Sequence, residues 1–212
     1  IEGWLSLDAA KRLLKMGGHD FDALKKQATT RDFKPVPLGL KASLAVKNTM
    51  RTIESRNVLA KLEGSDPALK DEYVVYTAHW DHFGIGEPDP KGDPKDKIYN
   101  GALDNASGVA AMLEMARAFT KVKPAPKRSI LFAAVTAEEQ GLLGSQYYAV
   151  TPVYPLAKTL ANINVDGINQ WGRTKDITVI GLGASDLDDY LRDAAAEPSP
   201  LVIGGRGPKT VR

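Results

Sequence analysis

"ILFAAVTAEEQ", residues 130–140, decides the architecture: an apolar and small run breaks abruptly into two adjacent glutamates. A strand with one face in water alternates apolar with polar residues, whereas an unbroken apolar run is the pattern of a strand covered on both faces. "SILFAAV" is therefore expected inside a layered α/β sheet. The same pattern occurs on both sides of it. "VVYTAHWDH", residues 74–82, and "LANINVDGIN", residues 160–169, each set His or Asp just past an apolar stretch.

Working outward, the chain from Asn57 alternates strand-like and helix-like segments: "NVLAKLEG", "EYVVYTAH", a helix from Asn105, "SILFAAVT", a helix from about Glu139, "LANINVD", "DITVIG" and a helix near Asp186. That rhythm predicts an α/β fold, a three-layer αβα arrangement around a mixed, largely parallel sheet. The helix from Asn105 presents Val109, Met112, Leu113, Ala116 and Phe119 or Thr120 on one face, and "KPAP" at 123–126 ends it. Residues 5–28 read as two short amphipathic helices broken at Gly17-Gly18, with His19 as a turn or cap residue. Alternation in "LGLKASLAV" predicts strands between Pro35 and Arg56. "GIGEPDPKGDPKDKIYNG", residues 84–101, has no apolar period and reads as a long loop.

Composition removes several functions. The 28 basic and 26 acidic residues are spread along the chain, with a net charge of +2, and form no stripe that would bind nucleic acid. There are no cysteines, so disulfides, thiol catalysis and Cys-based zinc sites are excluded and any metal must be held by His, Asp and Glu. No stretch approaches the roughly 18 apolar residues of a spanning helix, so no membrane-spanning segment is expected. The chain begins at Ile1 without an initiator methionine, which leads us to expect an upstream region. "GLGASD" at 181–186 and "GGRGPK" at 204–209 lack the spacing of nucleotide-binding loops, and "NAS" at 105–107 is read as a false glycosylation match because it opens a helix.

The acids and histidines share one structural address. In an open, largely parallel sheet the strand C-termini lie along one edge, and ligands bind in the crevice outside it. His79, Glu138, Glu139 and Asp166 can therefore meet, with Asp104 arriving from the turn before the helix. Taken singly they are ordinary: Asp104 an N-cap, the glutamate pair a charge in a helix's first turn, Asp166-Gly167 a turn, His79 a satisfied core residue. Gathered together they would crowd negative charge at one edge, and a pair of divalent cations compensates it. Imidazole and carboxylate suit zinc, and two zinc ions roughly 3.5–4 Å apart can share a bridging carboxylate. A general base beside them need not be a ligand, and adjacent glutamates can divide coordination from proton transfer. Asp81 is placed to accept the second imidazole N–H of His79 and fix its tautomer. His82 is left to access or packing rather than ligation.

"AHWDHFG", "NGALDNASG", "TAEEQGLLGS" and "NVDGIN", in this order, resemble the co-catalytic di-zinc aminopeptidases, a family that includes secreted bacterial leucyl aminopeptidases and glutamate carboxypeptidase relatives. The resemblance implies that His79 binds one zinc, Asp104 bridges both, Glu139 binds the other and Asp166 completes the first. It implies Glu138 as general base and acid and a cis peptide after Asp104; Asp81, the orienter of His79, is counted with Glu138 among the catalytic residues. It further implies that residues 1–52 are the trailing part of a protease-associated-like region and linker, and that 53–212 are the zinc peptidase catalytic domain. The expected activity is zinc-dependent removal of N-terminal residues from peptide substrates, in a periplasmic or secreted parent protein.

One departure tempers this. The family carries a second histidine ligand well downstream of the "NVDG" aspartate, and no histidine follows His82. The domain is therefore expected to be incomplete at its C-terminal end, with two zinc ions for a complete domain and one or none here, and with weak activity or none. Two other readings stay open: a glutaminyl-cyclase-like acyltransferase working with one zinc, and a non-catalytic binding module of the same fold.

Overall fold

The computed structural model describes residues 3–89, 91–172, 177–196 and 210–211, so the "GGRGPK" stretch at 204–209 and Asp176 lie outside the described residues. The chain divides into two units, residues 1–52 and 53–212.

The first unit holds α1 (Leu7–Met16) and α2 (Phe21–Gln27). Ser6 caps α1 by accepting the Ala9 N–H at 3.3 Å, and Asp20 caps α2 through the Ala23 N–H at 2.7 Å. Gly18, at φ 79°, makes the break between them, and His19 sits in that turn with its backbone N–H on the Leu14 carbonyl. Between Pro35 and Arg56 the expected strands are not found: the described backbone there has no ladder, and Leu44 and Val46 stand exposed. Alternating side chains do not make a strand without a neighbour to satisfy its main chain.

In chain order the second unit runs β1 (Val58–Leu62), β2 (Tyr73–His79), the short strands β3 (Gly84–Ile85) and β4 (Ile98–Tyr99), α3 (Ser107–Phe119), β5 (Ser129–Val135), α4 (Leu143–Val150), β6 (Thr159–Asn164) and α5 (Leu187–Ala196). The main sheet has the order β1-β5-β2-β6. β2 is parallel to both β5 and β6, while β1 is antiparallel to β5. This is the mixed, largely parallel α/β sheet read from the sequence. His79 is level with Val135, and Thr77 with Asn164. The residues that follow these strands are therefore delivered to a single edge.

β5 is buried along almost its whole length, as its apolar run requires. On one face Ile130 and Phe132 pack with Ala78 and Met112, backed by Val109, Ala116 and Phe119 of α3. Tyr76 stacks on Phe132 at 5.8 Å and meets Phe119 at 5.7 Å. On the other face Leu131, Ala133 and Val135 join Tyr73 and Val75, with Tyr154 against Tyr73 at 5.1 Å. Leu113 was expected on the packed face of α3 but is 65 % exposed, and Met115 packs in its stead.

Two further differences bear on the site. The 84–101 segment is closed at its base by the β3/β4 pairing, reinforced by the Gly86 N–H on the Lys97 carbonyl at 2.9 Å. The helix expected from about Glu139 starts at Leu143. Residues 138–142 instead turn back, with the N–H groups of Gly141 and Leu142 both on the Glu138 carbonyl at 2.9 Å. Asn57 locks this turn to the sheet: its amide oxygen accepts the Thr136 N–H at 3.0 Å and its NH2 donates to the Gly144 carbonyl at 2.8 Å. Beyond β6, Ile177–Thr178 pairs antiparallel with Thr210–Val211, a shorter element than "DITVIG" implies.

Candidate metal centre

His79 ends β2 at the centre of the edge, and its side chain is 2 % exposed. Its Nδ1–H donates to the Asp81 carbonyl at 2.9 Å, which leaves the Nε2 lone pair facing outward. Nε2 lies 2.9 Å from Asp104 Oδ1, 3.4 Å from Asp166 Oδ1 and 4.0 Å from Glu138 Oε2, yet it is buried without an aligned hydrogen-bond partner. The expected role of the Asp81 carboxylate is corrected here. It stands 3.8 Å from Nδ1, whereas the main-chain carbonyl lies at 2.9 Å and fixes the tautomer. The carboxylate accepts the Glu138 N–H instead, at 3.1 and 3.2 Å. Asp81 thereby ties the loop after β2 to the loop after β5.

Asp104 lies in the irregular turn Ala102–Ala106, with non-helical φ −114° and ψ 95°, and the Asp104-Asn105 peptide is cis. Sequence reasoning missed what holds this turn. Asn105, 2 % exposed, donates its amide to the Val165 carbonyl at 2.8 Å and accepts the N–H groups of Gly108 and Gly167 at 3.0 and 3.1 Å. One buried side chain so fixes the Asp104 turn, the start of α3 and the loop carrying Asp166. Its engagement inside the protein agrees with reading "NAS" as a false glycosylation match. The signal available was an Asn following an Asp at a helix start, which by itself means no more than a cap.

The described side chains form two triads of donor atoms, His79-Asp104-Asp166 and His82-Asp104-Glu139, each with its atoms within 4.8 Å of one another. Asp104 belongs to both. Among the described residues, none of Asp104, Glu138, Glu139 and Asp166 forms an ion pair with lysine or arginine. Burial drives the Glu138 carboxyl above its ordinary value, His79 pulls it partly back, and Asp166, Glu139 and Asp104 push it up again. For His79 burial acts downward, but the Asp81 carbonyl and the carboxylates of Asp166, Glu138 and Asp104 outweigh it and hold the imidazole above its usual range.

This arrangement fits zinc. Donors about 2.0–2.2 Å from a tetrahedral ion stand about 3.3–3.6 Å apart; the 3.4 Å separation of His79 Nε2 from Asp166 falls in that range, and the 2.9 Å separation from Asp104 is shorter. A buried imidazole lone pair with no hydrogen-bond partner, facing uncompensated carboxylates, is what a cation there would satisfy. Fold and donor set together define a domain of the zinc-dependent hydrolase class. Residues 57–202 match the model of Peptidase family M28, and the chain belongs to that family.

Relatives agree in kind. The chain is 41 % identical over 109 residues to a probable zinc metalloprotease of Pyrenophora teres f. teres (strain 0-1), covering 51 % of this chain and 22 % of that protein. Among solved structures it is similar to BSAP, a zinc aminopeptidase from Bacillus subtilis, with TM-score 0.52 and 26 % identity over 71 % of this chain and 35 % of that one. It is also similar to the aminopeptidase from Aneurinibacillus sp. strain AM-1, with TM-score 0.52 and 25 % identity over 69 % and 32 % of the two chains. The chain thus spans well under half the length of each of these proteins.

Proposed function

We propose that this chain carries the catalytic centre of a zinc metallo-aminopeptidase that removes N-terminal residues from peptides. The observation that carries the proposal is the placement of Glu138. Its carboxylate lies 4.0 Å from the outward nitrogen of His79, its pKa is raised by burial, and its backbone N–H is held by Asp81. His79, Asp104 and Asp166 would hold one zinc, and Asp104 and Glu139 would serve a second. Zinc bound there polarises a scissile carbonyl and makes water a stronger acid. Glu138 takes the proton of the attacking water and returns it to the leaving amine, a task for a carboxyl whose pKa is raised toward the working pH. Asp104 and Asp166 remain substantially exposed, so the rim stays open to a peptide. The similar solved structures, both described as aminopeptidases, support cleavage at the N-terminus.

On the same reading residues 53–212 are the zinc peptidase catalytic domain, which the family match over 57–202 supports. Residues 1–52 are proposed as the trailing part of a protease-associated-like region, and the parent protein as periplasmic or secreted. Fractionation of the cells that make it tests the location.

The enzymatic proposal is tested with aminoacyl anilides and the Glu138→Gln variant. Hydrolysis abolished by a chelator, restored by zinc, and reduced about 10²–10⁴-fold in the variant with zinc content unchanged is the expected result. Cyclisation of glutaminyl peptides without hydrolysis, or hydrolysis indifferent to both chelator and substitution, contradicts it.

A further inference from the structure

His82 sits three residues beyond His79, in the segment that follows β2, and its ring meets Phe83 at 4.8 Å and Tyr99 edge-on at 6.4 Å. Packing of that kind orients a ring but does not choose what its nitrogens face. Here Nδ1 lies 2.6 Å from Glu139 Oε1, with side chains only 19 % and 12 % exposed. Both atoms are buried, and neither has an aligned hydrogen-bond partner. His79 Nε2 has the same signature, a buried ring nitrogen close to carboxylate oxygens but out of line with them. Side-by-side donors aimed at a common point stand this way, whereas a hydrogen-bonded pair points one at the other.

The surroundings hold His82 in place. A Cβ at Gly101, which has φ 63°, would meet both the His82 Cβ and the Asp104 carbonyl at 2.9 Å, so glycine lets the Asp104 turn lie directly against His82. Glu139 follows Glu138, whose N–H is pinned by Asp81 one position before His82. Asp104 and Glu139 alone would offer a second cation only oxygen donors.

We propose that His82, through Nδ1, completes a second zinc position with Asp104 and Glu139, so that both histidines of the "HWDH" tetrapeptide are metal ligands on either side of the shared Asp104. This replaces the access or packing role expected from the sequence, and it rests on the zinc-peptidase reading above. Ligation through Nδ1 places the ring proton on Nε2.

The test is zinc binding by the whole 212-residue chain, measured as stoichiometry by mass spectrometry of the metal and as affinity by titration calorimetry. Cobalt(II) absorption reports on the donor set, and circular dichroism on folding. The variants are His82→Ala, His82→Gln and, as control, His79→Ala. The expected result is two zinc ions in the parent chain and one in each His82 variant. The lost site should weaken at least a hundredfold, the remaining one should change less than threefold, and the cobalt spectrum should change in the His82 variants. Glutamine can still donate to Glu139 but does not replace an imidazole as a zinc ligand. Binding of two zinc ions by His82→Gln with parental affinity therefore makes His82 a positioning residue and overturns the proposal. One zinc in the parent, kept by His82→Ala and lost by His79→Ala, overturns it while leaving the zinc-peptidase reading intact. No zinc in the parent chain overturns both.

Discussion

Replacing Asn105 by alanine tests how the site is held together. The substitution deletes three hydrogen bonds, two of them buried and one partly buried, and leaves the Val165 carbonyl and the Gly108 and Gly167 N–H groups without partners. A lost hydrogen bond costs about 1 kcal/mol net, and about 1–3 kcal/mol when the abandoned group stays dry. Val165 is buried, so its carbonyl falls at the costly end, whereas the Gly167 loop is only partly buried and water can reach it. The expected loss is about 3–4 kcal/mol, a large share of a typical domain's 5–15 kcal/mol. Urea unfolding followed by circular dichroism measures it as a lower midpoint at unchanged slope. Because Asn105 spans the segments that carry Asp104 and Asp166, zinc affinity should fall in parallel, by about 10–100-fold, as for other groups that orient metal ligands. A loss below about 0.5 kcal/mol, or full stability loss with zinc affinity intact, refutes the view that this amide positions the donors.

Other consequences follow from the same geometry. Glu138 has a folded-state pKa above its unfolded value, so the folded chain holds that proton more tightly, and stability declines as pH rises from the ordinary carboxylate range through the folded pKa. His79, also raised, adds a decline of the same sign in its own, higher window. Thermal scans of zinc-free protein should therefore fall with rising pH, and Glu138→Gln should flatten the acidic part of the curve; an unchanged slope in the variant contradicts the assignment. Gly144→Ala would drive a methyl group into the Thr136 backbone and the Asn57 amide, neither free to yield, and should destabilise by about 1–3 kcal/mol in the same urea assay. Asp81→Asn weakens the acceptor for the Glu138 N–H and should slow aminoacyl anilide hydrolysis by roughly 10–100-fold with zinc content unchanged, since the His79 tautomer is held by a main-chain carbonyl.

β5 was legible because burial on both faces leaves an unbroken apolar run, and the polar residues past the ends of β2, β5 and β6 marked the common edge. The parallel register of β2, β5 and β6 turned that marking into proximity. Less was legible where local pattern and tertiary pairing diverge. The alternation near Leu40–Val46 had no partner strand, and Glu138-Glu139 looked like a helix start because acids favour first turns, whereas Asn57 and the backbone bonds of 136–144 hold them in a loop. Leu113 and Met115 lie either side of a boundary that helical periodicity alone does not resolve. Asn105 and His82 carried no distinguishing sequence signal. One acts through three backbone partners distant or near in the chain, and the other through a ring nitrogen whose direction depends on the packing of Phe83, Tyr99 and Gly101.

The most direct measurement is anomalous diffraction at the zinc absorption edge, on crystals of the chain grown with zinc. The account predicts a peak about 2.0–2.2 Å from His79 Nε2 and from carboxylate oxygens of Asp104 and Asp166. Zinc found only on other surfaces, with nothing bonded to His79, contradicts it.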